Sequence, residues 1–206
     1  MRVEFKDAQR SFGAQIVFDK LNYSLEEGTK TAVLGGNGSG KSTLLKCLYG
    51  ALSLSHGMVI YQAHQKELKA QEAVHKISFS GPYFELIEEL EALEFLETYQ
   101  RFRRLLITPA EILNHAYLEK SSHKKIKQFS SGMKQRLRLS LALFSASDLV
   151  ILDEPTANLD PKGIEWYKEL LAAQLGQRSL VIGSNFSEDE IFLCQQKLIV
   201  SDYSQG

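Results

Sequence analysis

The run Gly35-Gly36-Asn37-Gly38-Ser39-Gly40-Lys41-Ser42 fits the pattern G-x-x-x-x-G-K-[ST], and no other stretch so narrows the folds open to this chain. Glycines let the backbone turn successive N–H groups inward around an anion, and a helix starting at Lys41 points its positive end at the same spot. Lys41 is long enough to reach the outer phosphates of a nucleoside triphosphate, and the Ser42 hydroxyl is a ligand for Mg²⁺. Such a loop must sit between a strand and a helix. Lys30–Leu34 reads as that strand, and residues 41–49 as the helix, with Thr43 in its first turn.

Around the loop, short runs rich in Val, Phe, Tyr and Thr read as strands at Val3–Lys6, Ile16–Phe18, Leu21–Leu25 and Met58–Tyr61, with turns at 11–13 and 26–28. From Tyr83 to Leu143 the period becomes helical. Leu86, Leu90, Leu93, Leu96 and Gln100 recur at helical spacing with glutamates between them. Thr108-Pro109-Ala110-Glu111 is a helix start, with Thr as N-cap, Pro in the first position and Glu completing a capping box. Strand signals then return at Leu149–Leu152, Ser179–Ile182 and Leu198–Val200. Between them lie helices from Pro161 to about Leu175 and from Ser187, where Ser187-x-x-Glu190 reads as a second capping box. Continuous apolar strands alternating with helices imply a parallel sheet covered on both faces.

Charge and composition exclude more than they assign. Lys and Arg number 24 against 25 Asp and Glu, a formal net charge of −1, which offers no bulk attraction to nucleic acid. No apolar run approaches the ~18 residues of a membrane span, since Arg138 and Ser140 interrupt the longest, Leu137–Phe144. No secretory signal is expected behind Met1-Arg2-Val3-Glu4, and two cysteines, Cys47 and Cys194, cannot build a disulfide framework.

The strand Leu149–Leu152 ends in Asp153 and Glu154. A carboxylate there can hold Mg²⁺, and its neighbour can orient and deprotonate an attacking water. Upstream, Ser130, Ser131 and Gly132 open a helix running to about Leu143, and their amides with the helix dipole form a second anion site.

Together these elements carry a resemblance. Phe129-Ser130-Ser131-Gly132-Met133-Lys134-Gln135-Arg136 resembles the LSGGQ-x-QR signature of ATP-binding cassette (ABC) ATPases, and Asp153–Asp160 resembles that family's Walker B run and D-loop. All elements fall in family order and cover residues from about 2 to 201. The resemblance implies an α/β P-loop NTPase fold. Its core sheet would be mostly parallel, with an N-terminal antiparallel β-subdomain and an inserted helical subdomain. It implies a single domain, 1–206, in which 1–82 and 143–206 form the RecA-like core with the β-subdomain and 83–142 the helical subdomain with the signature.

The same resemblance implies an ATPase that binds Mg²⁺ with ATP at composite sites of a head-to-tail dimer. Gly35, Gly36, Asn37, Gly38, Ser39, Gly40, Lys41, Ser42 and Thr43 would hold the phosphates, and Phe12 would stack on adenine. Ser42 and Asp153 would bind the metal, Glu154 would be the general base, and Ala157 and Asp160 would stand in the D-loop. Ser130, Ser131, Gly132 and Met133 would contact ATP held by the other subunit, a second copy or a homologous ATPase subunit. The implied setting is the nucleotide-binding subunit of an ABC transporter, cytoplasmic and peripheral on the inner membrane face through a separate transmembrane permease.

Two positions depart from the pattern. The stretch 77–84, where the family's Q-loop should lie, contains no glutamine, and Asn185 stands where the switch histidine belongs. Asparagine donates a hydrogen bond but carries no titratable proton. The alternatives are a soluble ABC-type ATPase or an ATP-dependent regulatory switch with weak hydrolysis. A nucleic-acid partner is not expected: the chain has neither a coiled-coil insertion nor a second cassette, and its charge is −1.

Overall fold

The computed structural model describes residues 1–63 and 65–203; position 64 and residues 204–206, which the expected 1–206 domain also spans, lie outside the described residues. In chain order the elements are β1 (Arg2–Phe12), β2 (Gln15–Leu25), β3 (Lys30–Leu34), α1 (Lys41–Leu48), β4 (His56–Ala63), β5 (Lys66–Leu68), α2 (Ala70–His75), β6 (Ile77–Ser80) and α3 (Ala92–Tyr99). There follow α4 (Pro109–His115), α5 (Ser131–Phe144), β7 (Leu149–Asp153), α6 (Pro161–Gln174), β8 (Ser179–Ser184), α7 (Glu188–Ile191) and β9 (Gln196–Ile199).

Two sheets result. An antiparallel sheet has the order β2-β1-β4-β5, and a parallel one the order β6-β7-β8-β3-β9. In place of several short strands at the N-terminus, β1 and β2 form one long hairpin. Ser11 and Phe12, expected in a turn, pair with Ile16 and Gln15, and Gly13-Ala14 make the turn. The alternation misleads because the pairing register shifts repeatedly between Phe5 and Ser11, and Asp7 and Lys20 adopt positive φ of 45° and 52°.

The parallel strands are buried throughout β7 and β8, as continuous apolar runs require when helices cover both faces. Alternate residues of β7 enter different cores. Leu149 and Ile151 join Val3, Phe5, Phe18, Leu45 and Val181 under the antiparallel sheet. Val150 and Leu152 join Leu96, Ile112, Leu137, Leu141 and Tyr167 among the helices. The helical segment thus shares a core with the sheet.

Within that segment the expected long helix through Leu86 is only α3. Leu86 packs into the core from irregular backbone instead. The reason is competition for backbone partners: the Ile126 N–H donates to the Leu90 carbonyl at 2.9 Å and the Lys127 N–H to that of Glu88 at 2.9 Å, which ties 88–90 into a loop pairing. Glu88 also takes an ion pair from Lys134 of α5 at 2.6 Å. The last strand is displaced too, to Gln196–Ile199, followed by a short 3₁₀ turn from Val200. Among the described residues no helix is long and apolar enough to cross a membrane.

The helix start at Thr108 forms as expected. The Glu111 N–H donates to the Thr108 hydroxyl at 3.3 Å, and the Thr108 N–H donates to the Glu111 carboxylate at 2.8 Å. Bonds from the Thr108 hydroxyl and backbone hold the Glu111 carboxyl below its ordinary pKa. Thr108→Ala should lower stability by about 1 kcal/mol, the usual worth of an N-cap. A carboxyl depressed in the folded state stabilises above its unfolded pKa and loses that contribution as pH falls through its folded pKa. Urea titrations should therefore show the wild type's advantage over Thr108→Ala shrinking in acid.

Candidate functional site

Strand order places the site. β8 lies between β3 and β7, with Leu34 opposite Ser184 and Asp153 opposite Gly183. The loop leaving β3 and the carboxylates ending β7 therefore emerge at one end of the sheet, where open parallel sheets bind ligands.

A cleft of about 400 Å³ opens there. Its walls bring together Phe12, Asn37, Gly38, Gly40, Lys41, Ser42, Thr43 and Glu154 from the sequence-derived set. Gly40 adopts φ 98°, and a Cβ on it would stand 2.4 Å from a methyl of Val17, so the loop tolerates no side chain there. At Gly35 a Cβ would fall 2.3 Å from the Ser39 hydroxyl, which folds beneath the loop. Lys41 is 4% exposed. Its Nζ donates to the carbonyls of Gly35 at 2.8 Å and Gly36 at 3.0 Å and lies 4.0 Å from the Glu154 carboxylate.

Asp153 sits beneath the cleft, 1% exposed, and among the described residues neither carboxylate oxygen makes a hydrogen bond of good geometry, the Ser42 hydroxyl being the donor beside it. Burial raises its pKa, and the adjacent Ser42 hydroxyl opposes that rise. A Cβ on Gly183 would come within 2.6 Å of Asp153 Oδ1, so glycine at 183 leaves room beside the carboxylate. A buried carboxylate with no donor beside it but one hydroxyl fits a hard divalent cation. Mg²⁺ in particular binds through one or two carboxylates and substrate phosphates, and among the described residues no group of three or more His, Cys, Asp or Glu gathers to hold another metal.

Glu154 adopts φ 49°, its N–H donating to the Gly183 carbonyl at 2.9 Å, and its side chain reaches the cleft half-exposed. Phe12 ends β1 with its ring 50% exposed, and the Arg10 guanidinium lies 4.3 Å from the ring centroid. Where a glutamine was sought after β6, Pro82 and Tyr83 line the cleft, and the Lys46 ammonium lies 3.4 Å from the Tyr83 ring centroid. Neither was legible as a cleft residue, because an aromatic after a strand is usually packing. Burial pushes the Cys47 thiol up to about 11 and Cys194 to about 12, so neither is a nucleophile near neutral pH.

Other expected residues lie outside this cleft. Ser130 caps α5, its hydroxyl accepting from the Met133 N–H at 3.2 Å. Ser131 and Gly132 form the first turn, where a Cβ on Gly132 would stand 3.0 Å from the Asn158 carbonyl. Asp160 caps α6, accepting from the Gly163 N–H at 2.8 Å, and the Ala157 N–H donates to the Glu154 carbonyl at 3.1 Å. Asn185 is exposed on the turn after β8 and does not line the cleft. The capping box expected at Ser187 does not form: the Ser187 side chain makes no cap bond, and Glu190 turns inward to Thr156. That inward turn, and the bond from Gln135 to Pro155, are contacts that sequence alone does not reveal.

If Asp153 is an uncompensated buried charge without its cation, Asp153→Asn should raise the melting temperature of the nucleotide-free protein at pH 7. The same substitution should abolish the further stabilisation that Mg²⁺ gives in the presence of ATP. Calorimetry with and without Mg-ATP checks both, and a lower melting temperature for the free variant contradicts the assignment.

A family model described as ABC transporter matches residues 18–157. The lantibiotic transport ATP-binding protein SrtF of Streptococcus pyogenes is 30% identical over 212 residues, covering 99% of this chain and 92% of that protein. The Nod factor export ATP-binding protein I of Burkholderia orbicola is 28% identical over 97% of this chain and 68% of its own length. A putative ABC transporter ATP-binding protein from Pyrococcus furiosus superposes with a TM-score of 0.81 at 20% identity over 100% of both chains. The ATP-binding cassette MJ0796, solved as a post-hydrolysis dimer with ADP and Pi, gives 0.81 at 24% identity over 96% of this chain and 93% of its own. These two structures share the fold.

Proposed function

This chain belongs to the ABC transporter family of ATPases, and from that premise we propose that it is the ATP-hydrolysing subunit of a transporter whose permease is a separate chain. The observation that carries the reading is the cleft itself, which gathers Phe12, the glycine loop, Lys41, Ser42 and Glu154 above the unpartnered carboxylate of Asp153. Phe12 offers one ring face to adenine. Lys41 exchanges the carbonyls of Gly35 and Gly36 for phosphate oxygens. Ser42 and Asp153 would hold Mg²⁺, which would supply charge neutralisation on the outer phosphates. Glu154 accepts a proton from the attacking water, and Asn185, exposed on the turn after β8 and outside the cleft, donates a hydrogen bond to the γ-phosphate only when that turn closes on the nucleotide.

Ser130–Met133 open α5 outside this chain's own nucleotide cleft, and a helix start of this kind favours an anion. That supports a head-to-tail pair, in which the α5 start of one copy closes on ATP held by the other. The two curated relatives are named for lantibiotic transport and Nod factor export, which supports a transport role without choosing a cargo. The absence of a membrane-crossing helix among the described residues accords with a separate permease and a place on the inner membrane face. The rival reading, an ATP-dependent switch with weak hydrolysis, draws on two observations: residues 77–84 lack a glutamine and position 185 lacks a titratable side chain.

Lys41 and Glu154 should fail differently. Lys41→Ala removes charge from the phosphate site, so ATP affinity falls. Glu154→Gln keeps the site's shape without its base, so ATP still binds and a dimer accumulates on gel filtration. Wild-type hydrolysis by Glu154→Gln contradicts the assigned role.

Asn185→His should raise turnover by about tenfold if the charged donor adds about 1.4 kcal/mol of transition-state stabilisation. Asn185→Ala should lower turnover and leave ADP affinity unchanged. Steady-state rates that are equal in all three proteins remove Asn185 from the mechanism.

A further inference from the structure

The dipeptide Pro155-Thr156 directly follows Glu154 and is gripped from two sides. From α5, the Gln135 amide Nε2, on a side chain 4% exposed, donates to the Pro155 carbonyl at 2.9 Å. From α7, the Glu190 carboxylate, also 4% exposed, accepts from the Thr156 N–H at 3.1 Å and from the Thr156 hydroxyl at 2.7 Å, both on Oε1. Glu190 is itself fixed, since the buried Tyr167 hydroxyl donates to its backbone carbonyl at 3.0 Å. Among the described residues no cation pairs with this carboxylate, and its two Thr156 donors set its place.

The grip falls where the backbone needs holding. Glu154 at φ 49° and Asn158 at φ 63° are both left-handed, a conformation that Asn tolerates but that costs a residue such as Glu roughly 1–2 kcal/mol. Such strain persists only where the surroundings over-determine it. Here they comprise the Glu154 N–H bond to Gly183, the Ala157 N–H bond to Glu154, and the two side-chain grips.

We infer that Gln135 and Glu190 are positioning residues for Glu154, and that through Pro155-Thr156 they link each copy's own base to the helix it presents to the other copy's ATP. The inference rests on the reading of Glu154 as general base and of α5 as the helix that closes in trans. Gln135 lies one turn beyond Ser130–Met133, so displacement of that first turn by a bound γ-phosphate reaches Pro155 through one rigid helix. Glu190 lies one turn beyond Asn185 and carries displacement of that turn to Thr156. A misplacement of about 1 Å at a reacting group is enough to cost up to 10²-fold in rate.

The test compares Glu190→Ala, Glu190→Gln, Thr156→Val and Gln135→Ala with wild type and Glu154→Gln, measuring kcat, ATP affinity and the ATP-bound dimer. Glu190→Ala should lose about tenfold to a hundredfold in kcat, hold ATP affinity within about twofold and accumulate an ATP-bound dimer as Glu154→Gln does. Glu190→Gln keeps an acceptor oxygen for Thr156 and should retain most of the activity. Gln135→Ala should lower kcat severalfold and hold ATP affinity within about twofold, and a wild-type kcat there removes α5 from the link. Equal losses of ATP binding and turnover in Glu190→Ala would make Glu190 a support for the fold alone and overturn the inference, as would wild-type kcat. Should Glu190→Ala not fold, Thr156→Val decides: a severalfold loss of kcat at unchanged affinity supports the inference, and an unchanged kcat overturns it. Wild-type turnover by Glu154→Gln sinks the underlying reading of the base, whereas an inactive Glu154→Gln beside an unaffected Glu190→Ala sinks only the grip.

Discussion

Backbone pairing of β3 and β7 against the two sides of β8 sets the height at which every chemical group leaves the sheet. Parallel neighbours are about 4.8 Å apart, so a loop after β3 and a carboxylate ending β7 stand roughly 10 Å from each other across β8. Asp153 opposite Gly183 and Leu34 opposite Ser184 fix that register, and a one-residue slip would turn Asp153 to the other face. The span suits a polyphosphate with its cation, and Lys41 closes it from one side by reaching within 4.0 Å of Glu154. Glycine at 183, on the intervening strand, keeps that span open.

The sheet is held by different partners on its two faces. Val150 and Leu152 pack among the helices, Leu149 and Ile151 beneath the antiparallel sheet, so β7 is a shared wall. Its buried end carries the site's buried charge. Movement of the helical layer against the sheet therefore bears on Asp153 and Glu154 without passing through a flexible linker. Gln135, on α5 and bonded to Pro155, is the shortest of these routes.

The sequence was most readable where one residue type has one job. The glycine loop, the apolar strand ending in Asp153-Glu154, the Thr108 cap and the Ser130 helix start all stand where the residues point. Legibility failed where tertiary contacts outbid local pattern. Glu190 had the spacing of a capping box, yet Thr156 offered its carboxylate two donors in a dry place, which a local N–H could not match. Leu86 and Leu90 had helical spacing, yet 126–127 paired with the backbone of Leu90 and Glu88. In the hairpin, bulges hid an eleven-residue strand by resetting its alternation. Tyr83 became a cleft wall because Lys46, from a different element, covers its ring.

Lys41 engages its own loop through the carbonyls of Gly35 and Gly36. Glycine is the residue that loses most freedom on ordering, and a glycine-rich loop left to itself would have to lose it at each encounter. With the carbonyls of Gly35 and Gly36 standing in for phosphate oxygens around the ammonium, that ordering is completed when the chain folds. Nucleotide capture then becomes an exchange of ligands around one cation on an already rigid frame, and its free energy is not diluted by building the frame anew each cycle.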